Sequence, residues 1–313
     1  MNAPISGLTE RIASGKTILL AEISPASNAD PGPVRDLAKR YAGKVHAVGV
    51  SDNRERVAMS ALAAAMLIAS EGLEPILHIT TRDRNRIALV SEALGAQALG
   101  IRNLLCTSGT HQTLGQFRAA RNVYDIDSIQ LLQVCSGLSN GGGKSVGEAH
   151  GFEDAGPFCL AAVASPFADP LELQVTRLVK KVRAGAKLLV TQPVYDVERF
   201  GVWWQEVTRR GLHEQAAFVV GIQPLTGNHL VDAQAGKRPA LRIPEALLNR
   251  ITAAGDPVAQ RAKAIEIAVE TIGQLAKLPG LRGFCISSDD DPLGGGFPEA
   301  ALQIIEKSGL GSN

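Results

Sequence analysis

No sign of charge dominates this chain: 32 Lys and Arg stand against 31 Asp and Glu over 313 residues. A surface that tracks phosphates needs an excess of Lys and Arg, so the balance argues against nucleic acid as the main partner. Cysteine is scarce. Cys106, Cys135, Cys159 and Cys285 are far apart and form no CxxC pair, which argues against a zinc site and a disulfide framework. Their apolar contexts read as small buried hydrophobes in a reducing compartment. The first residues, MNAPISGLTERIASGK, have no apolar core and no cleavage site. No apolar run approaches the roughly 18 to 20 residues of a membrane span. The expectation is a soluble, cytoplasmic protein that meets no membrane. There is no linker and no low-complexity segment, and no strand is followed by GxGxxG. The Gly141–Ser145 run (GGGKS) lacks the first Gly of a phosphate-binding loop, with Leu138 in its place, and it follows a helix where a strand is required.

Short apolar runs are what the chain does have. Strands are expected at Thr17–Ile23, Val45–Ser51, Pro75–Thr80, Asn103–Thr107, Phe158–Ala164, Lys187–Thr191, Ala217–Ile222 and Leu281–Ser287. Each is nearly continuous in apolar residues, the pattern of strands covered on both faces. Helical periodicity fills the intervals at Arg56–Glu71, Arg84–Leu99, Asp125–Leu138, Pro170–Ala184 and Val197–Arg210. Later helices are expected at Pro244–Ala254, Pro257–Lys277 and about Pro298 to Lys307. Eight strands alternating with helices predict a single-domain α/β (β/α)8 TIM barrel spanning 1–313, with a doubly wound sheet as the alternative. The Gly-rich stretch at about 138–157 is expected to be a mobile loop and a lid.

In a barrel the chemistry gathers at the C-terminal ends of the strands. Those ends carry Glu22, Ser51-Asp52, His78, Gly109-Thr110-His111, Ser165, Gln192, Gln223 and Ser287-Ser288-Asp289. Glu22 lies in an apolar run, and two readings stay open for it. One is a desolvated general acid; the other is a structural ion pair with an Arg of a neighbouring strand. His78 reads first as a hydrogen-bonded structural group and second as a catalyst. Gln192 offers two donors and an acceptor, suited to a heterocycle edge such as a pterin. Trp203-Trp204 reads as packing between helix and barrel. Asp289-Asp290-Asp291 reads as a solvated loop ahead of a cation site.

Four stretches in order, His78–Gln112, Val123–Leu132, Ser165–Asp196 and Gly221–Gly227, resemble the methylenetetrahydrofolate reductase family, and the resemblance runs from about Thr17 to Ser288. It implies a TIM barrel that binds FAD and uses NAD(P)H to interconvert 5,10-methylenetetrahydrofolate and 5-methyltetrahydrofolate. By the same resemblance Glu22 and Thr110 hold the catalytic positions, Glu22 as general acid. Gln192 and Gln223 would contact folate. Ser51, His78, Gly109, Tyr124, Arg177 and Lys181 would contact FAD, with Arg177 and Lys181 at i, i+4 on one helical face toward its pyrophosphate. The chain departs from the family at Thr110, where the family has Asp after Gly, and near Asn228, where it has an aromatic folate clamp. The alternative is a non-redox folate-binding or accessory paralogue on the same barrel. A homo-oligomer is expected. A Schiff-base lyase would want a strand-end Lys, and none of these strand ends has one.

Overall fold

A computed structural model describes residues 4–54, 56–139, 156–237, 239–287 and 298–312. Eight parallel strands close in chain order: β1 (Ile18–Ile23), β2 (Ala47–Val50), β3 (Pro75–Thr80), β4 (Asn103–Thr107), β5 (Cys159–Ala164), β6 (Leu188–Pro193), β7 (Ala217–Ile222) and β8 (Gly283–Ser287). Closure removes the doubly wound alternative, since an open sheet has two edges and this one has none. The expected strands all form. Five of them are trimmed by one or two residues at the N-terminal end, where Thr17, Val45, Phe158, Lys187 and Leu281 lie ahead of the strand.

The helices are α1 (Gly7–Ala13), α2 (Gly32–Tyr41), α3 (Ala61–Ser70), α4 (Arg86–Ala98), α5 (Ser128–Ser139), α6 (Leu171–Arg183), α7 (Val197–Arg209), α8 (Leu212–Gln215), α9 (Gly227–Gln234), α10 (Glu245–Thr252), α11 (Pro257–Leu275) and α12 (Pro298–Ser308). The helix expected from Arg56 starts only at Ala61. Residues before it make a loop in which Ala58 N–H donates to Asn53 Oδ1 at 3.0 Å and Met59 N–H to Ala26 O at 2.9 Å. Helical propensity lost there to these contacts with β1–α2 and β2–α3 loop atoms. Helices α1, α2, α8 and α9 were not expected from periodicity. Helix α1 plugs the N-terminal mouth. Leu8 packs with Ile18, Leu20, Ile76 and Leu105, and Ser6 Oγ donates to Asn103 Oδ1 at 2.8 Å.

Two apolar layers follow from the period of two along each strand. Inside the barrel lie Ile18, Leu20, Ala47, Ile76, Leu105, Cys159, Ala161, Leu188, Val190, Ala217, Val219 and Cys285. Alternate residues such as Leu19, Ala21, Leu104 and Leu189 face the helices, where Trp203 and Trp204 pack with Phe200 and Phe218 as the sequence led us to expect. All four cysteines are free and buried, and burial pushes the Cys159 thiol up to about 12. Among the described residues no helix is long and apolar enough to cross a membrane. The GGGKS run and most of the Gly-rich stretch at 138–157 lie outside the described residues, as does Asp289-Asp290-Asp291.

Candidate active site at the C-terminal mouth

The inward alternation continues past the apolar layers into polar residues. On β1 the series Ile18, Leu20 leads to Glu22. On β3 Ile76 leads to His78, on β6 Leu188 and Val190 lead to Gln192, and on β8 Cys285 leads to Ser287. Register sets Glu22 beside Gly49 of β2 and Ser287 of β8. A cavity of about 350 Å³ opens on this layer and is lined by Glu22, Ser51, Asp52, Arg54, His78, Gly109, Thr110, Arg177, Lys181 and Gln192, among others. A second cavity of about 690 Å³ shares Glu22, Ser51, Arg54 and Ser287 with the first and adds Gln223 and His229. The two make one cleft. Tyr124 lines neither; it is 40 % exposed, with φ +43. The side chain of Asn228 lies outside the described residues.

Glu22 makes an ion pair, the second of its two readings. Its carboxyl lines both cavities and also pairs with Arg54, NH1 to Oε1 at 2.9 Å. The partner comes from the loop after β2, not from a strand, so strand pattern alone could not reveal it. His78 is buried against this pair. Burial holds its imidazole below the ordinary value, and Arg54 adds to that, while Glu22 and Asp52 oppose. The ring is therefore neutral at pH 7. Gly49 makes its room, for a Cβ there would sit 2.9 Å from His78 Nε2. Asp52 accepts from Thr80 N–H at 3.0 Å and from the Arg84 guanidinium, which ties the ends of β2 and β3 together.

Two glycines let backbone approach where a side chain could not. Gly109 has φ +80, and a Cβ on it would lie 2.3 Å from Thr80 Cγ2. Gly221 sits where the β6–β7 register shifts between Val190 and Pro193; a Cβ there would fall 2.5 Å from Thr191 O. Gly221 N–H donates to Thr191 Oγ1 at 3.0 Å, and Thr191 Oγ1 donates to Gln192 O at 2.8 Å, so the Thr191 hydroxyl links Gly221 to the Gln192 carbonyl.

Arg177 and Lys181 enter the cavity from α6, one helical turn apart. The Lys181 ammonium donates to Val163 O. Burial, and then the charge of Arg177, pull its pKa down to about 8, with Asp127 opposing. Among the described residues no group of three or more His, Cys, Asp or Glu is arranged to hold a metal ion.

The sequence profile of a family described as "Methylenetetrahydrofolate reductase" matches residues 8–285. Among solved structures, the chain is similar to one described as "Uncharacterized protein from Clostridium thermocellum binds two copies of 5-methyl-5,6,7,8-tetrahydrofolic acid". The two are 11% identical with a TM-score of 0.68, over 97% of this chain and 99% of that one. At that identity the likeness is one of fold.

Proposed function

Because this chain belongs to the methylenetetrahydrofolate reductase family, we propose that it is a FAD-dependent oxidoreductase interconverting 5,10-methylenetetrahydrofolate and 5-methyltetrahydrofolate with NAD(P)H. The observation that carries the reading is convergence. Glu22, Ser51, His78, Gly109, Thr110, Arg177, Lys181 and Gln192 line one cavity although 170 positions of sequence separate the first from the last (192 − 22).

The donor chemistry suits FAD. Arg177 and Lys181 put two cations at one side of the cavity, fit for a diphosphate. Ser51, hydrogen-bonded to Ser24 at 2.7 Å, and neutral His78 offer hydroxyl and imidazole groups to a ring edge. Bound FAD would supply a two-electron carrier that accepts hydride from NAD(P)H and returns it to the one-carbon unit of the folate. The chain's own residues do the rest. Glu22 holds the proton exchanged with N10 of the folate, Arg54 keeps its carboxyl oriented, and the Gln192 amide meets the pterin edge. The test is anaerobic mixing of purified protein and FAD with NADH, then with folate, followed at the flavin absorbance. Bleaching and recovery support the reading. A protein that takes up folate but never flavin would favour the non-redox paralogue, for which Thr110 in place of an acid is the motivating observation.

Two further outcomes are expected. FAD affinity should fall as pH rises through about 8, because the free protein's Lys181 ammonium loses its proton there. The sign follows from the charge: only the protonated amine attracts phosphate. Lys181→Ala should flatten that dependence and weaken binding by about 1.5 to 3 kcal/mol, read by fluorescence titration across pH. Thr110→Asp should lower the midpoint potential of bound flavin and speed the methylene-reducing step, because a carboxylate at the cavity wall disfavours added negative charge and favours a cationic folate. A redox titration with single-turnover kinetics in both directions checks it; no change in either would move Thr110 away from the flavin.

A further inference from the structure

Arg82 lines neither cavity, yet its buried guanidinium reaches three loops of the mouth. It lies two residues past β3. Its NH1 donates to Thr110 O at 2.7 Å and its NH2 to Asn53 O at 2.9 Å. Its Nε and NH2 grip the two oxygens of Asp83, both at 2.7 Å. Its own carbonyl accepts from Val123 N–H at 2.7 Å.

Asn53 and Thr110 line the cleft, while Val123 adjoins Tyr124, which lies outside both cavities. Asn53 precedes Arg54, the partner of Glu22; Thr110 is at the cavity wall; Val123 precedes Tyr124. The three anchored segments also carry left-handed backbone, at Asn53 (φ +45), Gly109 (φ +80) and Tyr124 (φ +43). A non-glycine residue holds such a conformation only where its surroundings over-determine it. A planar fork with donors in fixed directions can bind two carbonyls and a carboxylate at once, which a lysine ammonium at the end of a flexible stem cannot reproduce.

We propose that Arg82 is a positioning residue that locks the loops after β2, β3 and β4 into one unit, and so fixes Arg54, Thr110 and Tyr124 relative to the barrel mouth. The clamp is a property of the chain itself; only the ligand it serves rests on the reading given above.

The test compares wild type, Arg82→Lys and Asp83→Asn by hydrogen exchange and mass spectrometry on the full chain without ligand. In Arg82→Lys, the peptides containing Asn53, Thr110 and Val123 should all exchange faster, by about tenfold, while strand peptides keep their protection. Asp83→Asn, which leaves the two carbonyl contacts, should give a smaller rise in the same three peptides. With FAD bound, the visible absorption band of Arg82→Lys should shift from the wild-type band. Unchanged exchange, or a rise confined to one loop, overturns the proposal. Should Arg82→Lys fail to fold, Asp83→Asn decides by the same three peptides. If wild type binds no flavin while the three peptides still respond together, the functional reading fails and the clamp stands.

Discussion

Glu22→Gln is expected to bind flavin, to be reduced by NAD(P)H at the wild-type rate, and to lose the folate half-reaction by at least roughly 10²-fold, the contribution typical of a general acid. On the proposed mechanism the two halves separate, because only one needs a proton from the chain. Glu22 ends the inward series of β1, faces both cavities and is fixed by register between Gly49 and Ser287. Glutamine keeps the shape and still accepts from Arg54, so the wall of the cleft stays as it is. Arg54 is 42% exposed, so water screens its charge once the carboxylate is gone, and the cost to folding should stay within about 1 kcal/mol. Stopped-flow absorbance with each substrate alone measures both halves. Equal loss in the two would make Glu22 a flavin-binding group. Full folate turnover would move the proton elsewhere. His78 is the nearest alternative in the same cavity, but burial already holds it unprotonated at pH 7.

The barrel was legible because it is written in residues whose burial leaves no choice. Continuous apolar runs such as Pro75–Thr80 and Ala217–Ile222, six residues long, read as strands covered on both faces, and these appear with the bounds the sequence predicts. The inward residues of the mouth were legible for the same reason, since strand alternation carries Leu20 to Glu22 and Val190 to Gln192. What escaped depends on contacts between loops. Helix α3 begins at Ala61 because Asn53 and Ala26 capture the backbone before it, and nothing in RVAMS announces that. Arg54 becomes the partner of Glu22 through the path of a loop, and Arg82 reads in sequence as one of three arginines in TRDRNR. Tyr124 was carried over by resemblance, and its exposed place outside both cavities follows from a left-handed turn that no propensity specifies.

Gly283→Ala should be the most damaging single methyl in the barrel. Gly283 opens β8 and pairs with Ile18 on one side and Val219 on the other, so the strand has no free edge toward which to move. Its φ is +142, a conformation L side chains rarely adopt, and an added Cβ would fall 1.8 Å from Ile18 O and 2.8 Å from Ile18 N. These are backbone atoms of β1, unable to swing aside as a side-chain tip would. The strain of the dihedral costs roughly 1 to 3 kcal/mol, and forcing apart packed strands adds about 1 to 3 kcal/mol more. Together they approach the total stability of an ordinary domain, about 5 to 15 kcal/mol. Gly100→Ala is the control. Its φ of +83 carries similar dihedral strain, but nothing lies within 4 Å of the new methyl. Urea unfolding should therefore show Gly283→Ala losing at least twice as much as Gly100→Ala. Equal losses would mean that the β1–β8 seam yields. A seam that yields would also release Ser287 from its place beside Glu22, since the ladder that sets Ile18 against Gly283 continues to that pair. Folate turnover in the surviving folded fraction of Gly283→Ala then reports whether closure of the barrel or the strand end alone holds the acid in position.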